Sequence, residues 1–198
     1  MLRGPFTFDV ASHTYRVAGR IVPGLSSVLV ASGLSDDSYY RRAVEARERG
    51  SAVHEAALRL DLGDEPADRD LRPEWLGYFE GYRQFSASVK TRWRELEQAR
   101  LHRAHGYAAR PDRMGTLNGT PTVLEIKTGG PALWHQYQTA GQALLWPKLT
   151  LRRGVVYLPG DGTGRFRVHD DPQDFLVFLD ALRRVKEAEA WKVDQDHW

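Results

Sequence analysis

Two stretches place apolar residues at helical spacing. Val53, Ala57 and Leu60 share one face of a segment that the pattern predicts as a helix over 37–60, opened by Asp36 and Asp37. Trp75, Tyr78, Phe79, Tyr82 and Phe85 form an aromatic stripe over 74–89, the signature of a helix turned toward a core. Between them, 61–73 (DLGDEPADRDLRP) is acidic, contains proline and lacks a period, so it reads as a surface loop. Upstream, 6–22 alternates in part around a Gly19 turn and predicts short strands, and Ser26 or Ser27 is placed to cap a short helix ending near Gly33. Downstream, 92–105, 106–115 and 121–128 predict three strands, and 131–146 a helix. Residues 150–158 and 164–168 predict a hairpin around Pro159-Gly160-Asp161-Gly162, and 172–191 a last helix. This order predicts an α/β (α+β) fold, a mixed central β-sheet flanked by helices. It suits one domain over 1–198, with a lead-in over 1–35 and a core over 36–198.

Composition narrows the chemistry. The 198 residues are 41% hydrophobic and 27% charged, enough to bury a core without staples. The chain has no cysteine, which excludes a disulfide framework, a cysteine nucleophile and a cysteine-held iron–sulfur cluster. No apolar run approaches the ~18 residues of a membrane span. The start, MLRGPFTFDV, lacks a basic segment followed by an apolar one, so the expected compartment is the cytoplasm. The net charge of +2 does not demand a nucleic-acid partner. Only five of the 28 basic residues are lysines. Arginine forks suit bidentate phosphate contacts, and genomic base composition produces the same bias.

The informative segment is ARPDRMGTLNGTPTVLEIKTGG, residues 109–130. Asn118-Gly119 between two apolar-containing arms predicts a type I′ hairpin. With those two residues as the loop, Asp112 on one arm faces Glu125 on the other. This register assumes no bulge, and Pro121 makes a local irregularity conceivable. Directly opposed residues hold their Cβ atoms ~4.5–5.5 Å apart. Two carboxylates that close repel unless a shared proton or a divalent cation offsets them. Oxygen donors without cysteine favour Mg²⁺ or Mn²⁺. Lys127, two residues beyond Glu125, falls on the same strand face. Two acids and an ammonium around one point can activate water against a phosphoryl group. An exposed hairpin with an ordinary Glu–Lys pair would carry the same residues.

Two further segments bear on this. In RGSAVHEA, residues 49–56, Gly50 and His54 stand four apart on one side of a helix, so the glycine leaves room beside an imidazole able to ligate a metal. A buried, hydrogen-bonded structural histidine is the plainer reading. In HQYQTAGQALL, residues 135–145, Gln138, Gly141, Gln142 and Leu145 share one helix face, while Leu133, Tyr137, Ala140 and Leu144 can pack inward. Gln138 can reach the site or a phosphate, or the face is simply solvated. Trp134 or Tyr137 can stack a base or pack in the core.

In order, RGSAVHEA, GYAARPDRMG, VLEIKTG and HQYQTAGQA resemble the PD-(D/E)XK nuclease superfamily. They are most similar to its RecB-like exonuclease branch, found in phages, in CRISPR adaptation nucleases and in the mitochondrial genome maintenance exonuclease. HTYRVAGRIVPGLSSVL, residues 13–29, resembles the lead-in of that branch, so the likeness spans about two-thirds of the chain. It implies a restriction-endonuclease-like core and a metal site of His54, Asp112, Glu125 and the Ile126 carbonyl. Asp112, Glu125, Lys127 and Gln138 match its catalytic set, and Glu97 matches a further acidic position on the preceding strand. Gln142 stands where the family usually has tyrosine, and PGLSS replaces its PS.

The expectation is therefore a Mg²⁺- or Mn²⁺-dependent deoxyribonuclease without an iron–sulfur cluster, an exonuclease on DNA ends or single strands. Recombination, repair or phage DNA metabolism is the implied setting, with a single-strand-binding or recombination protein as a partner and a phage or prophage as the source. Arg41, Arg42, Arg49, Arg110 and Arg113 are the candidate phosphate contacts. A sequence-specific endonuclease of the same superfamily and a non-cleaving DNA-binding recombination module are the rival readings.

Overall fold

The structure is a computed structural model describing residues 2–35 and 44–189. Strands β1 (Phe6–Asp9), β2 (Thr14–Val17) and β3 (Arg20–Val22) form a small antiparallel sheet, followed by helix α1 (Leu25–Ala31). Helix α2 (Val44–Leu62) leads through the acidic loop and a 3₁₀ turn, Pro73–Trp75, into α3 (Leu76–Ser88). Then come β4 (Thr91–Leu96), β5 (Arg100–His102), β6 (Tyr107–Ala109), β7 (Arg113–Leu117) and β8 (Thr120–Lys127). Helix α4 (Trp134–Ala143), strands β9 (Arg152–Tyr157) and β10 (Arg165–His169) and helix α5 (Gln173–Glu187) complete the chain.

The central sheet has five strands in the order β10-β9-β8-β7-β4. β8 and β9 run parallel, with α4 as their crossover, and the other pairs are antiparallel. This is the expected mixed sheet flanked by helices. One face packs Met114 and Val123 against α1, α4 and α5 through Leu25, Ala143, Phe178 and Leu182. The other packs Leu124, Ile126 and Val156 against α2 and α3 through Val53, Ala57, Tyr82 and Phe85. The aromatic stripe of α3 is thus core, with Trp75, Phe79, Tyr82 and Phe85 all buried.

The β7–β8 hairpin follows the expected register, from Leu117↔Thr120 to Arg113↔Leu124 without a bulge. Its loop residues lie in the left-handed region, Asn118 at φ +52° and Gly119 at φ +80°, as a type I′ turn requires. Asn118 also ties the turn to β4: its N–H donates to Lys90 O, and its Oδ1 accepts from the Lys90 N–H.

Several boundaries differ from expectation. The strand over 92–105 breaks at Glu97, a non-glycine residue at φ +48°. The strand over 106–115 breaks at Arg110–Asp112, so its first part pairs with β5 rather than with the central sheet. Helix α1 begins after Gly24, not at a serine cap, and no side chain caps it. Leu133, just before α4, is 72% exposed, while Ala140 is buried and Tyr137 and Leu144 pack against the core as expected; Gln138 and Gln142 are buried too, so the polar face of α4 is turned inward rather than solvated. The expected start of α2 at Asp36 and Asp37 lies outside the described residues.

Candidate active site

Strand β8 sets the site. Its alternation puts Glu125 and Lys127 on the face covered by α4, at the carboxyl end of a parallel strand. Open α/β sheets commonly bind ligands there. Asp112 lies one step before the first hairpin pair, and the same register carries it to Glu125. Asp112 Oδ2 accepts a 2.6 Å bond from the Ile126 N–H, the residue next to Glu125. Both acids are buried, Asp112 at 7% and Glu125 at 5% exposure.

Donors surround Glu125. Lys127 Nζ lies 2.8 Å and Gln138 Nε2 2.6 Å from Oε1, and Gln142 Nε2 lies 2.6 Å from Oε2. The two glutamines, four apart on α4, grip both carboxylate oxygens. Each keeps a buried Oε1 without a hydrogen-bond partner. Lys127 also lies under the Trp134 indole, 4.9 Å from its centroid.

His54 joins α2 to this end of the sheet. Its Nδ1 is 3.3 Å from Asp112 Oδ1, and its Nε2 is 3.1 Å from Ile126 O. Both neighbours are acceptors, so only a doubly protonated ring can donate to both. The electrostatics agree. Burial alone disfavours the imidazolium, yet the Asp112 carboxylate beside it, with Glu125 and Glu97 beyond, raises the His54 pKa above its ordinary value. The two acids move apart. Burial opposes ionisation of Asp112, but His54, Lys127 and Arg113 outweigh it and hold its pKa below the usual carboxylate range. Burial and then the Asp112 charge push Glu125 upward. The shifts are opposite because each charge disfavours the other: with Asp112 ionised beside His54, ionisation of buried Glu125 is opposed.

Among the described residues no three His, Cys, Asp or Glu side chains stand close enough to cage a cation as they are placed. Glu125 is turned to its α4 donors instead. His54, Asp112 and the Ile126 carbonyl meet directly, and Glu125 adjoins them through the β8 backbone.

A cavity of about 380 Å³ opens over Glu125 and Lys127. Tyr15, Arg110, Trp134 and the glutamines line it, so the small N-terminal sheet supplies one wall. Of the candidate phosphate contacts, Arg110 lines this cavity, ion-paired to Glu97 and 5.8 Å over the Phe8 ring. Arg49 donates to Thr128 O at 3.3 Å and covers Tyr78. Arg41 and Arg42 lie outside the described residues. Arg113 is corrected: it is fully buried, bonded to Asp61, and faces no solvent. Arg113 opens β7 directly after Asp112 and pairs with Leu124, which puts it on the sheet face opposite Glu125. Glu97 stands just past the end of β4 rather than on it, and its N–H donates to Asp112 O at 2.9 Å. Two residues escape the sequence reading: Gln142, which it assigns no role, and Asp61, which it places in the surface loop 61–73, whereas α2 runs on to Leu62 and the Asp61 side chain is buried. Asp61 lies seven positions after His54, two turns along the same helix.

No protein-family model and no curated protein matches the chain. Thirteen chains of solved structures are similar, among them the crystal structure of SSO0001, 17% identical over 70% of this chain and 74% of its own, at a TM-score of 0.40. No helix among the described residues is long and apolar enough to cross a membrane.

Proposed function

We propose that the chain is a metal-dependent deoxyribonuclease that hydrolyses phosphodiester bonds at DNA ends or in single strands. One observation carries the reading. A two-residue turn sets a register that ends at Arg113↔Leu124, and one residue further buried Asp112 accepts the Ile126 N–H beside buried Glu125, with Lys127 on Glu125 and His54 on Asp112. The donor set suits Mg²⁺ or Mn²⁺ in kind: two buried carboxylates, the Ile126 carbonyl and an imidazole, with no thiolate. Bound there, the cation would supply Lewis acidity to the phosphodiester and make water a better nucleophile. Lys127 orients that water and offsets the charge that develops on the phosphoryl oxygens. Gln138 and Gln142 hold the Glu125 carboxylate in place. Arg110, which lines the cavity, and Arg49, bonded to Thr128 O just past β8, are the arginines proposed to meet backbone phosphates.

The test is cleavage of labelled single-stranded and duplex DNA with Mn²⁺. Asp112→Ala and Lys127→Ala are each expected to lose on the order of 10²–10³-fold in rate. Cleavage retained by both variants removes the assignment. Closed circular DNA separates the modes, because an end-dependent enzyme leaves it intact and an endonuclease does not. Binding of DNA without cutting of any substrate leaves the non-cleaving module as the reading.

A further inference from the structure

The hydrogen bonds around Asp112 run through a residue with no access to substrate. Arg113 is 0% exposed, in the face of the sheet packed by α2 and α3. Its Nε donates to Asp61 Oδ2 at 2.5 Å, and the Tyr82 hydroxyl donates to the same oxygen at 2.6 Å. Its Nη1 donates to the carbonyl of Asp112 at 2.8 Å. That carbonyl also accepts the Glu97 N–H at 2.9 Å, from a residue held at φ +48°. The Asp112 backbone is therefore gripped from two sides, by β7's own arginine and by the end of β4.

The same arginine spans two elements that the site must bring together. Asp61 belongs to α2, which carries His54, and Arg113 follows Asp112 directly. A short ion pair between fully desolvated partners fixes how α2 sits against the hairpin, and so fixes the approach of His54 to Asp112. We propose that Arg113, anchored by Asp61, is a positioning residue: it locks the Asp112 backbone and the α2–β7 register that together place the acid–histidine pair. The proposal rests on the reading of Asp112 as a site residue. A buried arginine kept only for stability would need the Asp61 pair alone. The bond to the Asp112 carbonyl is the part with consequences at the site.

Arg113→Lys separates the two roles. A lysine can keep the charge pair with Asp61 but cannot also reach the Asp112 carbonyl, because it lacks the fork. The double variant D61N/R113M removes both charges and keeps volume, a change that buried ion pairs tolerate better than loss of one partner. Two readouts are needed: backbone amide exchange at Glu97 in metal-free protein, and kcat and KM for DNA cleavage with Mn²⁺. In R113K, Glu97 exchange is expected to quicken and kcat to fall, each by roughly tenfold, with KM little changed. The double variant is expected to behave likewise while unfolding near the wild-type temperature. Unchanged Glu97 exchange in whichever variant folds, or loss of folding by both, overturns the proposal. If the wild-type protein cuts no DNA, the nuclease reading falls by itself and amide exchange alone decides the positioning role.

Discussion

Individual side chains in this protein are governed by burial without water to screen them. His135 is a clear case. It is 4% exposed, takes the Ala132 N–H on its Nδ1 at 3.1 Å and meets the Tyr157 hydroxyl with the same atom. Burial first, then the charge of Lys127 and His169, lowers its pKa from 6.5 to about 3. The native ring thus stays neutral where the unfolded ring takes a proton. Its contribution to stability is complete above the unfolded pKa of 6.5 and is lost progressively as pH falls from there toward about 3. The slope from this one group is at most about 1.4 kcal/mol per pH unit. His135→Asn keeps an acceptor for Ala132 without a titratable ring. Denaturant midpoints from pH 7 to pH 4 are expected to fall less steeply for the variant than for the wild type. Equal slopes would show that His135 is not the group protonated on unfolding.

At the scale of elements, the hairpin is the part most legible in the sequence, and the reason is local. Asn118-Gly119 accepts two positive φ angles, the turn type then fixes the loop, and the loop fixes every pair up to Arg113↔Leu124. Period-2 alternation did the rest for Glu125 and Lys127. The same rule applied to Arg113 points it away from Asp112, but a reading by residue type kept it with the phosphate contacts. What the sequence hid depends on tertiary contact. The break at Glu97 is imposed by pairing on either side of it, because β4 belongs to the central sheet and β5 to a separate ribbon. The inward turn of Gln138 and Gln142 depends on a buried carboxylate that no helical period reveals. Two glycines test the hairpin's energetics. A Cβ on Gly115 would stand 2.2 Å from Arg92 O and 2.8 Å from Trp93 Cα, both backbone atoms of the paired strand. A Cβ on Gly119 meets open space but is strained by φ +80°. Gly119→Ala is expected to cost about 1 kcal/mol, and Gly115→Ala more, roughly 1–3 kcal/mol from overpacking. Urea midpoints rank them, and the opposite order would mean that β4 yields where the structure shows it packed.

For the whole molecule, the sheet separates support from chemistry. One face holds the Arg113–Asp61 pair under α2 and α3; the other holds Arg153–Asp174, 2.9 Å apart, under α5. Between these braces, at the carboxyl end of β8, Glu125 faces a cavity walled in part by the N-terminal sheet, and Asp112, whose pKa shifts the opposite way, lies beside it under His54. The proposed hydrolysis requires one divalent ion to join the two acids. Crystals soaked in Mn²⁺ and measured at the manganese absorption edge give the direct answer. The prediction is an anomalous peak within coordination distance of Asp112, Glu125 and the Ile126 carbonyl, lost in Asp112→Ala. A peak elsewhere only, or none in the wild type while the acids keep their present hydrogen bonds, contradicts it.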